Sequence, residues 1–325
     1  MKVFIYSLRD YDEQDFMVEF CSQYGLEYGY TAETPCMDNL HMAEGYDAVN
    51  IITTPTDKAM IDGWIAAGVK CIATRTIGYD HIDYKYAASK GVGVVNVTYS
   101  PATVAEYTVM MILMGLRRVK HIRERAELQD FSLKGKIARE LCQCTVGIVG
   151  TGRIGEAVID CLSGFGCKIL AYDPFEKESV KERAEYVTLD KLLSESYIIS
   201  LHAPALDGTY HLIDGPAFRR MKEGAGIVNC ARGNLIDTEA LIAALDSGHL
   251  GFACLDVIEN EAGLFYFDRR GDDLGNKDLE RLNAYSNVIV MPHMAFYTDE
   301  AVSNMMENSL SGIKDFFETG ACVNR

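Results

Sequence analysis

The sequence predicts an α/β fold made of two doubly wound parallel sheets. Three observations carry this. Short apolar runs alternate with helix-patterned segments along nearly the whole chain, the rhythm of parallel strands joined by crossover helices. The rhythm starts afresh in mid-chain at Thr145-Val146-Gly147-Ile148-Val149, directly before a glycine-rich turn. A chain of 325 residues, 48% of them apolar, is also long enough to bury two cores rather than one.

In the first third, strands are expected at residues 2–7, 48–52, 70–74 and 93–97, with helices at 58–67 and 84–90. Ser100-Pro101 then opens a long helix, with serine as N-cap and proline in the first turn. Its stretch Val109-Met110-Met111-Ile112-Leu113-Met114-Gly115-Leu116 is apolar on nearly every side, which asks for burial between layers, domains or subunits. That run is too short to cross a bilayer. The basic residues that follow, Arg117, Arg118, Lys120, Arg123 and Arg125, read as a solvated helix face.

The second alternation places strands at residues 145–149, 168–172, 198–201, 226–229, 252–257 and 288–291. Between residues 258 and 287 the rhythm breaks into an acidic, glycine-containing stretch with Phe265, Tyr266 and Phe267, expected to be a long structured loop of functional kind. After Thr298 one helix, residues 299–317, is stopped by Gly320. The cofactor-type unit thus occupies residues 100–297. Residues 1–99 and 298–325 form the other, discontinuous domain.

A net charge of −16 argues against nucleic acid or an anionic membrane as partner. Ten cysteines lie scattered with no CxxC pair; only Cys142-x-Cys144 comes close, so no metal site is expected. The amino terminus reads as a first strand rather than a signal peptide. Reduced thiols and a cytoplasmic location follow as expectations.

The most informative stretch is Gly150-Thr151-Gly152-Arg153-Ile154-Gly155. It joins a strand to a helix at 154–165, and Asp173 ends the next strand. Strand, glycine turn, helix, strand and acid in that order are what dinucleotide binding needs. Gly150 permits the turn, Gly152 lets a pyrophosphate reach the backbone, and Gly155 lets the helix lie close to the strand. The helix start, at Arg153 and Ile154, offers free N–H groups to the phosphates. Asp173 suits a ribose diol and would repel a 2′-phosphate, so NAD is expected rather than NADP.

Three further polar groups follow strands: Arg232 after Gly226-Ile227-Val228-Asn229-Cys230-Ala231, Glu261 after residues 252–257, and His293 after Val288-Ile289-Val290-Met291-Pro292. Ligands of open α/β sheets bind beyond the carboxyl ends of strands, so all three are expected at the nicotinamide end. Arginine forks onto a carboxylate. Histidine exchanges a proton with a carbonyl or hydroxyl, and a neighbouring carboxylate fixes its tautomer. Singly each residue has a bland reading as a turn or solvated loop. Together they suit reduction of a 2-oxo acid to a 2-hydroxy acid by hydride from NADH.

The chain resembles the D-isomer-specific 2-hydroxy acid dehydrogenase family over essentially its whole length. The matching pieces are Arg75-Thr76-Ile77-Gly78-Tyr79-Asp80-His81-Ile82-Asp83, the glycine turn, Asn229-Cys230-Ala231-Arg232-Gly233, Leu255-Asp256-Val257-Ile258-Glu259-Asn260-Glu261 and Pro292-His293. Within the family it is most similar to D-lactate dehydrogenases and to the D-lactate-forming vancomycin-resistance branch, through Asn96-Val97-Thr98-Tyr99-Ser100-Pro101 and His293-Met294-Ala295-Phe296-Tyr297-Thr298.

The resemblance implies a Rossmann cofactor domain inserted into a flavodoxin-like substrate domain. It implies that Arg232 binds the substrate carboxylate, that His293 is the acid/base and that Glu261 is its partner. Ile77 and Gly78 would offer N–H groups to that carboxylate. Tyr99 and Phe296 would wall the pocket, although core packing explains two aromatics equally well. His202, Pro204, Cys230, Ala231 and Asp256 would line the NAD site, and the enzyme would be a homodimer. Cys230, where a small or hydroxyl residue is commoner, and Met294, where threonine is usual, depart from the family pattern. Pyruvate is the expected substrate. Branched or aromatic 2-oxo acids, and an NAD(H)-sensing corepressor-like protein on the same fold, stay open as alternatives.

Overall fold

A computed structural model of the chain describes residues 1–323. The chain divides into two compact units, Met1–Ser100 together with Tyr297 onward, and Pro101–Phe296.

The first unit holds five parallel strands, β1 (Lys2–Ile5), β2 (Glu27–Tyr30), β3 (Ala48–Ile51), β4 (Cys71–Thr74) and β5 (Gly93–Val95), in the order β2-β1-β3-β4-β5. Successive side chains of a strand point to opposite faces. Accordingly Val3 and Ile5 pack with Met17 and Phe20 of α1 (Gln14–Tyr24) and with Met306, Leu310 and Ile313 of the last helix, α12 (Asp299–Thr319). Phe4 and Tyr6 pack on the other face with Met60, Ile61 and Trp64 of α2 (Lys58–Ala66), while α3 (Tyr84–Ser89) precedes β5. With both faces covered, the inner strands β3 and β4 are buried along their whole length, whereas the edge strand β2 is mostly exposed. Thr298 caps α12 by accepting from the Ala301 N–H at 3.3 Å, and Gly320 ends it at φ +78°.

Neither α1 nor β2 is assigned by the sequence pattern. The residue before α1, Glu13, makes no side-chain cap. Its carboxylate is spent elsewhere, on fully buried Arg75, whose guanidinium also donates to Asn50 and to the carbonyls of Tyr6 and Ser7. Arg75 thereby ties together the carboxyl ends of β1, β3 and β4.

The second unit holds seven parallel strands, β6 (Thr145–Val149), β7 (Lys168–Tyr172), β8 (Glu185–Tyr186), β9 (Ile198–Leu201), β10 (Ala225–Asn229), β11 (Leu250–Leu255) and β12 (Val288–Val290). Their order is β12-β11-β10-β9-β6-β7-β8, so the direction of winding reverses between β6 and β9. Its helices are α4 (Pro101–Leu116), α5 (Val119–Glu127), α6 (Arg153–Ser163), α7 (Glu178–Lys181), α8 (Leu189–Glu195), α9 (Gly215–Arg220), α10 (Thr238–Asp246) and α11 (Lys277–Ala284).

One side of α4 is buried through Val104, Thr108, Met111 and Ile112 against α6, β10 and β11, while Met110 is exposed. The stretch 258–287 is not loop throughout, because α11 lies within it, started by Asn276 accepting from the Leu279 N–H at 2.9 Å. Its face of Leu279 and Leu282 packs on the core, a partner that only the folded sheet supplies. The basic residues around α5 are solvated or paired, with Arg123 on Glu127 and Arg125 on Asp130. Among the described residues no helix is long and apolar enough to cross a membrane.

Candidate functional site

The glycine turn lies where the winding reverses, the place at which an open α/β sheet leaves a crevice. Gly150 has φ +92°, and a Cβ there would come within 2.7 Å of the His202 backbone. A Cβ on Gly155 would sit 2.0 Å from the Gly150 carbonyl oxygen, so only glycine lets α6 approach this closely. Gly152 differs: a Cβ there would meet nothing within 4 Å, leaving open space over the start of α6, whose first turn holds Arg153 and Ile154. Asp173, just past β7, accepts from the N–H groups of Thr151 at 2.7 Å and Phe175 at 2.8 Å, which couples the acid to the turn.

His202, just past β9, has its Nε2 2.8 Å from the Ser200 hydroxyl. Its Nδ1 is buried with no hydrogen-bond partner among the described residues. Burial pushes its pKa down to about 4, so the ring is neutral near pH 7. Pro204 follows, its carbonyl accepting from the Thr209 hydroxyl at 2.6 Å. An open helix start, a carboxylate beyond the second strand and an imidazole nitrogen in need of a partner fit a dinucleotide at this crevice.

Beyond β11 and β12 a second cluster forms. His293 Nδ1 lies 2.6 Å from Glu261 Oε1, and Glu261 Oε2 accepts from the Ile258 N–H at 2.9 Å. The imidazole therefore faces away from Glu261 with Nε2. Asn260, Tyr266 and His293 all have positive φ, at +58°, +73° and +55°. Non-glycine residues take that conformation at a cost, and such outliers gather at working sites. Asp256, fully buried, holds the strained loop: its carboxylate accepts from the N–H groups of Met294 at 2.8 Å and Ala295 at 2.9 Å, and its carbonyl from that of His293 at 2.8 Å. Burial raises the pKa of Asp256, and the two N–H groups oppose the rise. Met294 reaches Asp256 through its backbone, so methionine in place of threonine leaves this contact intact.

Arg232 is presented by a turn that Asn229 builds, its Nδ2 donating to the Arg232 carbonyl at 2.8 Å and its Oδ1 accepting from the Ala231 N–H at 3.0 Å. Cys230 beside it is buried, which raises its thiol pKa and keeps it un-ionised. The second unit thus brings Arg232, Glu261, His293, Phe296, Asp256 and the glycine turn to the carboxyl ends of its strands. Ile77, Gly78 and Tyr99 belong to the first unit. There Asn96 Nδ2 donates to the Ile77 carbonyl at 2.7 Å and the Thr76 hydroxyl to that of Gly78 at 2.7 Å.

The family model for the NAD-binding domain of D-isomer specific 2-hydroxyacid dehydrogenases matches residues 109–295, more than half of the chain. The chain belongs to the D-isomer specific 2-hydroxyacid dehydrogenase family. It is an NAD-dependent oxidoreductase of the 2-oxo/2-hydroxy acid class. An aromatic 2-oxoacid reductase of Clostridium sporogenes is 41% identical, with 100% of this chain and 99% of that protein aligned. A D-lactate dehydrogenase of Lactiplantibacillus plantarum is 39% identical over 98% of this chain and 97% of that one. The crystal structure of a D-lactate dehydrogenase from Treponema pallidum superposes with a TM-score of 0.88 at 31% identity, covering 100% and 99% of the two chains.

Two positions, Tyr107 and Glu259, and the clamping role of Asp256 were not legible in the sequence. The carboxylate of Asp256 clamps the His293 loop, which no spacing announces. The hydroxyl of Tyr107 on α4 is buried beside Asp256, and burial followed by that carboxylate raises its pKa. Glu259 accepts from the Thr238 N–H and hydroxyl and lies 2.7 Å from His211 Nε2. Burial opposes its ionisation, but these partners outweigh it and hold the carboxyl below its usual range. Glu259 stands two residues before Glu261 in the run Leu255–Glu261, and that proximity is its one signal in the sequence.

Proposed function

We propose that this dehydrogenase reduces pyruvate to D-lactate, with His293 as the acid, Glu261 as its orienting partner and Arg232 as the carboxylate receptor. The observation that carries the proposal is the 2.6 Å Glu261–His293 contact, which leaves Nε2 to serve the substrate oxygen. Gly150, Gly152, Arg153, Ile154, Gly155, Asp173, His202, Pro204, Cys230, Ala231 and Asp256 would form the wall against NAD. When bound, the reduced cofactor supplies the hydride that reduces the keto carbon. Arg232 would grip the carboxylate with two parallel hydrogen bonds and polarise the adjacent carbonyl. His293 would deliver its proton from Nε2 to the carbonyl oxygen, and Glu261 would stabilise the imidazole through Nδ1 in both states. The first unit would be the substrate domain, with Ile77 and Gly78 offering N–H groups to the carboxylate, and Tyr99 and Phe296 would be pocket-wall residues.

Aromatic 2-oxo acids are the second reading, favoured by the Clostridium sporogenes relative named for them. The test is NADH oxidation with pyruvate, phenylpyruvate and 2-oxoisocaproate, repeated with NADPH. Highest kcat/KM with pyruvate and NADH is the expected result; preference for a bulkier acid would overturn the pyruvate assignment and keep the chemistry. In His293→Ala, kcat should fall about 10²–10⁴-fold with NADH binding intact. Unchanged turnover would remove His293 from the mechanism.

We also propose a homodimer in the cytoplasm. Exposed Met110, Ile122, Leu128, Phe131, Leu133 and Ile137 on and after α4 support self-association. Ten cysteines that are all free thiols support a reducing compartment.

A further inference from the structure

We infer that Tyr266 sets the side-chain preference of this enzyme, an inference that rests on the 2-oxo acid reading above. Three aromatics run consecutively through the loop between β11 and α11, and the fold uses them differently. Phe265 packs against the core of the second unit, and Phe267 is exposed. Tyr266 turns to the acid/base pair. Its ring lies 5.9 Å from the His293 imidazole and meets Phe296 edge-on at 6.1 Å, while Phe296 meets His293 edge-on at 6.4 Å.

The hydroxyl of Tyr266 donates to the His293 carbonyl oxygen at 3.2 Å. Tyr266 holds φ +73°, a conformation that a bulky residue keeps only when its surroundings demand it. It is nevertheless 43% exposed, so the ring is not there to fill a core. A strained, half-exposed ring beside an imidazole is placed to meet what that imidazole serves. Since the proton goes to the carbonyl carbon's oxygen, the substituent on that carbon lies close by. The Tyr266 ring therefore limits how large the substituent can be, and its hydroxyl steadies the His293 backbone.

The experiment compares wild type, Tyr266→Ala, Tyr266→Leu and Tyr266→Phe, each measured for kcat and KM with pyruvate and with phenylpyruvate at saturating NADH. Tyr266→Leu retains bulk for the loop and covers the case in which the alanine variant does not fold. The ratio of kcat/KM for phenylpyruvate to that for pyruvate should rise about tenfold or more in Tyr266→Ala and Tyr266→Leu, chiefly through KM. Tyr266→Phe should keep the wild-type ratio, because it keeps the ring. Equal losses on both substrates in the alanine and leucine variants would mark a merely structural role and overturn the inference. Wild-type protein that oxidises NADH with neither substrate would instead refute the proposed function, a result visible before any variant is made.

Discussion

Asp256→Ala should loosen the His293 loop and lower both stability and turnover. The carboxylate is fully buried and accepts from the N–H groups of Met294 and Ala295 at 2.8 and 2.9 Å. Alanine leaves both donors without an acceptor. A hydrogen bond to a charged group contributes about 1.5–3 kcal/mol, so two represent about 3–6 kcal/mol. Part of this is offset, since burial already disfavours the charged form of Asp256 and raises its pKa. A net loss of about 2–4 kcal/mol remains. In a unit spanning Pro101–Phe296 that corresponds to a fall in Tm of roughly 5–15 °C. Displacement of His293 by about 1 Å should cost kcat about a hundredfold. Thermal unfolding by circular dichroism and steady-state NADH oxidation read the two effects. An Asp256→Ala protein that melts within about 2 °C of wild type and keeps its kcat would refute the view that this carboxylate holds the loop.

The second and third glycines of the turn, Gly152 and Gly155, should separate binding from folding. Gly155→Ala puts a methyl 2.0 Å from the Gly150 carbonyl and should cost about 2–3 kcal/mol, whereas Gly152→Ala meets no protein atom and should leave Tm unchanged while weakening NADH binding in a fluorescence titration. Equal Tm values for both variants would contradict the packing argument. For pH, burial lowers the His202 pKa to about 4, while an unfolded histidine titrates near 6.5, so between those values the unfolded chain takes up the extra proton. The stability linked to neutral His202 is complete above about pH 6.5 and is lost as pH falls towards 4, by about 3 kcal/mol at most. Urea midpoints of the cofactor-free protein should fall more steeply over that window in wild type than in His202→Gln; parallel curves would mean that His202 is not buried neutral.

The cofactor turn was legible in the sequence because each of its requirements is local. A strand, three glycines, a helix start and an acid follow from neighbours in the chain, and β6, β7 and β9 fall at Thr145–Val149, Lys168–Tyr172 and Ile198–Leu201 as their apolar runs predict. Arg232, Glu261 and His293 were legible as candidates because each follows a strand. Helix α1 and strand β2 were not, since α1 starts without a side-chain cap, Glu13 being drawn onto Arg75, and β2 is a short, mostly exposed strand. Helix α11 was hidden inside a stretch whose composition reads as loop.

By itself, then, the sequence determined the fold class, the NAD-type turn and the residue types available for chemistry, because strand periodicity and glycine geometry act over a few residues. Only the tertiary structure decided which groups touch. It set Glu261 against His293 from residues 32 apart, tied Asp256 to the backbone beyond His293, left His202 Nδ1 without a partner among the described residues, and turned Tyr266 rather than Phe265 or Phe267 towards the imidazole. Those contacts depend on where parallel strands end beside one another, and strand order is set by packing across the whole sheet rather than by any local run of residues.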